Sequence, residues 1–480
     1  MGLGVNVENS PLIFKGWTIL MVVLLGAVTG LHLIDFLQVQ FWRHDSVYYL
    51  SSYGLKLEGE GRWLNYYVFS WLKLVPAWLS ILLSYGAIGY FAYSCSYRLN
   101  RDVWFSVLLA LATSNIPLLR MQLEWPTTLL PAFLLLWLAP WFSRRVPEFV
   151  FFLVYGLLLF GSFSSLYFLL PFLYLPGATI KSFVRTLFLW MVCFVLGYLV
   201  SQAVVWKVTG EFITVAGWRH PNPVDNVATF IANLQASRTY VRSHALFMVN
   251  VFSFWLLLLS LVWSLFGGSP LRRILVWGAA LVVFLAPYVT ALPYGIVVSG
   301  RTAFIGMMAL LLALFLHERT NLWYRASGAL LLMSVGFSMS QMTSAYTQWY
   351  KGMTDAMVMN VRQSMPLPPD KTDKVYILID DTQWRRFTDW IVESESLSSP
   401  RMFSEGFVST HYRRSLLVSL GYYDVVVCGA VQLGACEVPL QFAGGEAVRE
   451  YSVYAQVVEG KSILLSMPDP KLPRGIAPGL

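Results

Sequence analysis

The residues best suited to acid–base chemistry gather in residues 43–63, RHDSVYYLSSYGLKLEGEGRW, directly after the first apolar segment. This stretch holds three carboxylates in a chain of which only 12% is charged. A carboxylate within hydrogen-bond reach of an attacking hydroxyl can take its proton. We predict Asp45 as that general base, with Tyr49 near the substrate and with Glu58 and Glu60 as secondary carboxylates. The alternative is that these charges only solvate a loop at a membrane surface.

Basic residues that could bind a phosphate are distributed over several loops. A phosphate leaving group needs Arg or Lys beside it. We predict Arg62, Arg120 and Arg301 as phosphate ligands, with Arg43 and Lys56 available nearby. For Arg301 the alternative is an anchoring arginine at the start of an apolar segment.

A second carboxylate stands in an apolar setting in LRMQLEWPTTLL. A charge beside apolar residues at the end of a span is costly unless it is used or paired. We predict Glu124 as a second catalytic or sugar-positioning carboxylate, and Arg120, four residues earlier, as its possible partner. Trp63 and Trp125 are predicted to stack on sugar rings or to line a lipid groove.

The elements that position these residues are predicted to be membrane spans, since the 480 residues are 57% hydrophobic. We predict about eleven spans in a polytopic α-helical protein: 17–37, 76–96, 103–119, 127–142, 149–161, 163–176, 186–206, 245–266, 274–291, 302–316 and 326–343. The net charge of +8 fits basic cytoplasmic loops better than nucleic-acid binding.

Lys and Arg occur in every second loop if residues 149–176 cross twice. The positive-inside rule then predicts a cytoplasmic N-terminus. The opposite loops, 38–75, 120–126, 207–244 and 292–301, would face outward together with the C-terminal region. Within them, Lys73 and Pro76 should interrupt the helix after Trp63, and NPVD should start a second amphipathic helix.

Residues 1–345 are predicted as the membrane domain and 346–480 as a soluble α/β domain on the outer side, with a disordered tail. VYILID and YYDVVVCGA are typical of short strands. Cys428 and Cys436 are a candidate disulfide if this domain lies in an oxidising compartment. Cys95 and Cys193 are expected to be buried in apolar segments.

The chain has no Walker A sequence, no dinucleotide glycine fingerprint, no HExxH and no GxSxG. These absences argue against a nucleotide-driven pump and against the familiar serine and zinc hydrolases. A metal site built from His44, Asp45, His220 and His244 is disfavoured, because their spacing enforces no ligand geometry. We predict neither a metal nor a cofactor.

The Asp after the first span, the tyrosine-rich turn and Gly61-Arg62-Trp63 resemble the serotype-converting O-antigen glucosyltransferases of enteric bacteria and their phages. The resemblance covers about 340 residues by layout. The chain departs from that pattern in two places. His44 replaces one of the paired acidic residues of the first loop, and Glu124 stands where Asp is more usual.

The resemblance implies a GT-C-like membrane glycosyltransferase in the bacterial inner membrane. Its donor would be an undecaprenyl-phosphate-linked hexose, expected to be glucose, and its acceptor a lipid-linked O-antigen on the periplasmic side. Transfer would invert the anomeric carbon and change the serotype of the lipopolysaccharide. Two alternatives stay open: a flippase or transporter for a lipid-linked sugar, and a lipid A-modifying transferase.

Overall fold

The computed structural model describes residues 10–38, 53–215, 219, 221–298, 300–316, 322–379, 410–429, 454–457 and 462–466. Most of these residues are helical. The first half contains α1 Ser10–Leu37, α2 Gly54–Glu60, α3 Trp63–Leu72, α4 Ala77–Asn100, α5 Val103–Ser114, α6 Pro117–Gln122, α7 Pro126–Phe142, α8 Glu148–Phe160 and a 3-10 helix, Ser164–Tyr174.

The second half of the helical region contains α9 Ile180–Thr209, α10 Val227–Phe252, α11 Phe254–Leu265, α12 Pro270–Ala291, α13 Ala303–Phe315 and α14 Leu322–Ser364. Short 3-10 turns lie at Leu292–Tyr294 and Gly300–Thr302. Each of the eleven predicted spans overlaps a helix, but 103–119 is divided between α5 and α6, and 163–176 is a 3-10 helix. As predicted, α3 ends before Pro76, which is the N-cap of α4.

Three of the described helices are long and apolar enough to cross a membrane: Lys15–Leu37, Ile180–Thr209 and Pro270–Tyr294. On α1, Val23, Leu31 and Ile34 each expose more than half of their surface. Apolar side chains exposed along a whole helix are those of a lipid-facing surface. Other apolar helices are shorter than a full crossing, among them α5, α7, α8 and α13.

The predicted span 245–266 is wrong as one continuous helix. α10 and α11 meet at Ser253 with a bend of 92°. Ser253 has φ 62°, which ends the helix because a residue in that region leaves the helical path. Instead, α10 begins where the amphipathic helix was predicted, with the Asn226 side chain accepting the Thr229 N–H at 2.9 Å.

Residues 148–175 leave one end of the helical unit as α8 and return to that end as a 3-10 helix. At the start of α8, Glu148 pairs with Arg185 at 2.8 Å in the first turns of α9. At its end, the Gly161 carbonyl accepts the Leu64 N–H of α3 at 2.8 Å. The 3-10 helix then returns to Leu175, five residues before α9 begins. The charge pattern predicts this path.

A buried polar network joins α1, the end of α5 and α14. Asn115 donates to the Thr29 hydroxyl at 2.7 Å, and the Thr343 hydroxyl donates to the Asn115 carbonyl at 2.7 Å. Buried polar groups need such partners because no water is available to replace them. The network fixes the chain directly before α6, which carries Arg120.

The chain divides into two compact units, 1–34 with 52–344 and 35–51 with 345–480. The second unit contains a four-stranded sheet of order β2-β1-β4-β3, with β1 Lys374–Ile379, β2 Val425–Gly429, β3 Tyr454–Val457 and β4 Ser462–Ser466. β1 pairs in parallel with β2 and β4, whereas β3 is antiparallel to β4. The first two strands are the ones that the sequence predicts, and α15, Thr410–Ser419, precedes β2.

Candidate functional site

The loops predicted to face one side meet at one end of the helical unit. The Glu58 carbonyl accepts the Thr214 N–H at 3.0 Å, which ties the first loop to 207–244. The Arg219 carbonyl accepts the Val297 N–H at 3.0 Å, which ties 207–244 to 292–301. The turn Gly300–Thr302 packs against α6 in the remaining loop. Residues far apart in sequence are thereby brought together.

The centre of this end is a carboxylate surrounded by cations. The Lys56 ammonium donates to Glu60 Oε1 at 2.5 Å, and the Arg62 guanidinium contacts Glu60 Oε2 at 2.5 Å. The Glu60 side chain is only 7% exposed and that of Arg62 15%. We call Lys56, Glu60, Arg62 and Arg219 the basic cluster.

Arg219 is the member that the sequence analysis missed. It lies close enough to Glu60 and Arg62 for their charges to interact. Burial lowers the pKa of its guanidinium, while the Glu60 carboxylate opposes that shift. A count of every basic residue in the predicted outer loops would have included Arg219, but only the fold places it beside Arg62.

The electrostatics of the basic cluster keep Glu60 ionised. Burial alone would raise its pKa, but the positive charges of Arg62, Lys56 and Arg219 outweigh burial and hold the pKa well below its usual value. Lys56 and Arg62 are thus ion-paired with Glu60, and Arg219 lies within range of the same charge. Arg and Lys side chains gathered in this way are of the kind that binds phosphate in proteins.

Short helices and a close glycine contact position the basic cluster. Gly61, with φ 68°, ends α2 and lets the chain turn sharply between Glu60 and Arg62. Trp63 then packs against Gly161, where an added Cβ would lie 2.5 Å from the indole ring. The Trp63 indole N–H donates to the Ser201 hydroxyl at 3.1 Å. Trp63 therefore holds α3 against α8 and α9, and its predicted contact with sugar stays a prediction.

The second predicted group is buried in and after α6. Arg120 and Glu124 are each 1% exposed, and Trp125 is 8% exposed. The Arg120 guanidinium lies 5.0 Å from the centre of the Tyr85 ring, a cation–π contact. Charges so deeply buried are costly to maintain without partners. The predicted roles of Arg120, Glu124 and Trp125 at a substrate stay predictions.

Asn65 connects these two groups. Its side chain donates to the Thr128 carbonyl at 2.9 Å and to the Tyr53 hydroxyl at 3.1 Å. α3 and the start of α7 are thereby fixed relative to each other. The Asn65 side chain therefore links the segment that carries Arg62 to the segment that carries Glu124.

Several predicted residues lie outside the described part. Asp45 and Tyr49 fall in residues 39–52, and Cys436 falls in 430–453. The backbones of Arg301 and Cys428 are described, but their side chains are not. The side chain of Glu58 is exposed, in contrast to buried Glu60. Cys95 and Cys193 are buried and free, as predicted.

Within the described ranges, no three His, Cys, Asp or Glu side chains gather in a group that could hold a metal ion. His244, one of the residues considered for such a site, contacts the Tyr288 hydroxyl through Nδ1 at 2.6 Å. That contact occupies one of its two ring nitrogens.

Comparison with known proteins identifies no relative. No family model, no curated protein and no solved structure matches the chain. The resemblance to the O-antigen glucosyltransferases thus rests on short motifs and on the layout of the chain.

Proposed function

We propose that the chain is an inverting membrane glycosyltransferase that moves a hexose, expected to be glucose, from undecaprenyl phosphate to O-antigen repeat units on the periplasmic side. The observation that carries the proposal is the basic cluster. It lies outside the long apolar helices, is mostly buried and gathers three basic side chains around Glu60. A lipid-linked sugar offers one phosphate at the boundary between membrane and water, which is the ligand this arrangement fits.

In the proposed reaction an acceptor hydroxyl attacks the anomeric carbon of the donor sugar. The bond between that carbon and the phosphate oxygen breaks, and its electron pair leaves with undecaprenyl phosphate. Asp45 takes the proton of the hydroxyl. Arg62 and Arg219 stabilise the charge that develops on the phosphate, with Lys56 as a third cation.

The second carboxylate, Glu124, is proposed to position a sugar hydroxyl. Arg120 lies four residues before it in the sequence. A buried carboxylate accepts hydrogen bonds strongly because water does not compete for it. Trp125 would provide the apolar face on which a sugar ring can stack. The second unit, which contains the sheet, is proposed to be a periplasmic domain that orients the acceptor.

The test uses the purified chain in nanodiscs with labelled glucosyl undecaprenyl phosphate and a lipid-linked O-antigen acceptor. We expect labelled acceptor and released undecaprenyl phosphate. Arg62→Gln and Arg219→Gln should each lower kcat/KM by about 10- to 100-fold, the cost of one charged hydrogen bond. Arg219→Lys should restore part of the activity. Arg144→Gln, exposed and in a loop of the other set, is the matched control.

Asp45→Asn tests the base. We expect it to abolish transfer while donor binding persists, because the amide cannot accept the proton. Full transfer by Asp45→Asn would show that another residue is the base. If the unmodified chain moves the labelled donor across the membrane of a vesicle without forming product, the flippase alternative replaces the proposal. A labelled lipid A product would identify the lipid A-modifying transferase instead.

A further inference from the structure

In the N-terminal half of α10, polar side chains face the protein and apolar side chains are exposed. This is the reverse of a helix in a soluble protein. The side buried against the 292–298 loop carries Asn233 and Ser237. The Asn233 amide donates to the Asn222 carbonyl at 2.8 Å and to the Leu292 carbonyl at 3.1 Å. A helix that contacts its own protein through polar groups leaves its apolar groups for another environment.

Those apolar groups form one exposed stripe. Val227, Phe230, Ile231 and Leu234 recur at the i, i+3, i+4, i+7 spacing of a single helix face, and each exposes at least 43% of its surface. Arg238 and Arg242 continue this face over the next two turns and are also exposed. We call these six residues the α10 stripe.

The side of α10 away from the stripe is small and polar. Ala232, Gln235, Ala236, Thr239 and Ser243 are exposed there. A helix with an apolar stripe, basic residues on that stripe and a polar back has the composition of a helix that lies on a membrane surface.

The bend at Ser253 supports this orientation. α11, an apolar helix, leaves α10 at 92°. If α11 runs along the bilayer normal, α10 runs along the bilayer plane. Phe254 and Trp255, at the start of α11, are exposed as well.

We propose that the α10 stripe docks on the bilayer surface, with its apolar residues among the upper acyl chains and with Arg238 and Arg242 bound to anionic lipid headgroups. The two charges complement phosphatidylglycerol, at about 1 kcal/mol per basic residue near such a surface. This interaction is independent of the proposed glycosyl transfer, and it needs no sugar.

The test measures how deep single positions of α10 lie in the bilayer. A nitroxide is attached through p-acetylphenylalanine at position 231 or 234 of the otherwise unmodified chain, in nanodiscs of phosphatidylethanolamine and phosphatidylglycerol. We expect collisions with dissolved oxygen to be frequent and collisions with a water-soluble nickel chelate to be rare. Labels at 232 and 236, on the polar side, are matched controls and should show the reverse.

The arginines are tested with the label at 234. Arg238→Gln combined with Arg242→Gln should raise its accessibility to the nickel chelate in phosphatidylglycerol nanodiscs and should change nothing in pure phosphatidylcholine. Equal chelate accessibility at 231 and 236 would overturn the proposal, because the stripe would then face water. Shielding of 231 from both oxygen and chelate would also overturn it and would indicate a protein partner, such as a second copy of the chain.

Discussion

At the scale of single residues, the structure explains why Glu60 is ionised and buried at once. Spacing alone cannot distinguish two carboxylates in one loop, so the sequence favours Asp45 over Glu60 as the base. The contacts with Lys56 and Arg62 make Glu60 the ionic centre of the described site. The first loop and its charges were therefore predictable from sequence, whereas the link to Arg219 depends on the fold.

Replacing the Glu60 carboxylate should destabilise the chain. Glu60→Gln removes the carboxylate that Lys56 and Arg62 each contact at 2.5 Å, and breaking a buried ion pair costs about 3–5 kcal/mol. We expect a lower Tm in detergent at pH 7 than for the unmodified chain. Glu58→Gln, which removes an exposed carboxylate from the same helix, is the control and should leave the Tm nearly unchanged.

The pH dependence follows from the lowered pKa of Glu60. The folded-state pKa lies below the unfolded value of 4.5, so the stabilisation is complete above pH 4.5 and disappears as the pH falls through the folded pKa. The Tm difference between the unmodified chain and Glu60→Gln should be constant from pH 8 to pH 6 and should shrink below pH 4.5. A difference that shrinks near pH 6 would mean that Glu60 is not held by these cations.

At the scale of elements, apolar runs located the helices but not their contacts. α8 and α9 meet glycine to glycine. A Cβ at Gly197 would lie 2.5 Å from the Gly156 carbonyl oxygen, and one at Gly156 would lie 2.6 Å from the Cys193 carbonyl oxygen. Small residues allow two helix backbones to approach this closely. Neither glycine shows a distinctive sequence pattern, so this contact could not be predicted.

Gly197→Ala should push α8 away from α9 and lower the Tm. The added methyl group meets backbone on the other helix, which cannot rotate aside, so we expect overpacking of about 1–3 kcal/mol. Gly30→Ala in α1 is the matched control, since its Cβ would meet nothing within 4 Å. Equal Tm values for both variants would show that the two helices can separate freely.

The bend at Ser253 makes a second prediction at this scale. Ser253 is a non-glycine residue at φ 62°, a conformation that costs a residue with a Cβ about 1 kcal/mol and a β-branched one more. Ser253→Gly should therefore keep or raise the Tm, and Ser253→Val should lower it. Ser243→Val, on the exposed side of the same helix, controls for the valine itself.

At the scale of the whole molecule, the charge pattern predicted which loops come together. Loops 38–75, 120–126, 207–244 and 292–301 meet at one end. The basic loops meet one another as well: Arg98 donates to the Leu173 carbonyl at 3.0 Å, and Arg272 to the Leu175 carbonyl at 3.0 Å. The positive-inside rule assumes that a membrane separates the two sets of loops. It says nothing of helix geometry: 149–161 and 163–176 are predicted as two short spans, but only the structure shows that the second is a 3-10 helix.

This separation predicts the orientation of the chain. If the loops that carry Arg98, Arg185 and Arg272 face the cytoplasm, the eleven predicted spans place the N-terminus inside and the C-terminus outside. Alkaline phosphatase fused after Leu480 should be active in a bacterial host, and a green fluorescent protein at the same point should be dark. The opposite pair of results would place the C-terminal region in the cytoplasm and would contradict the predicted orientation.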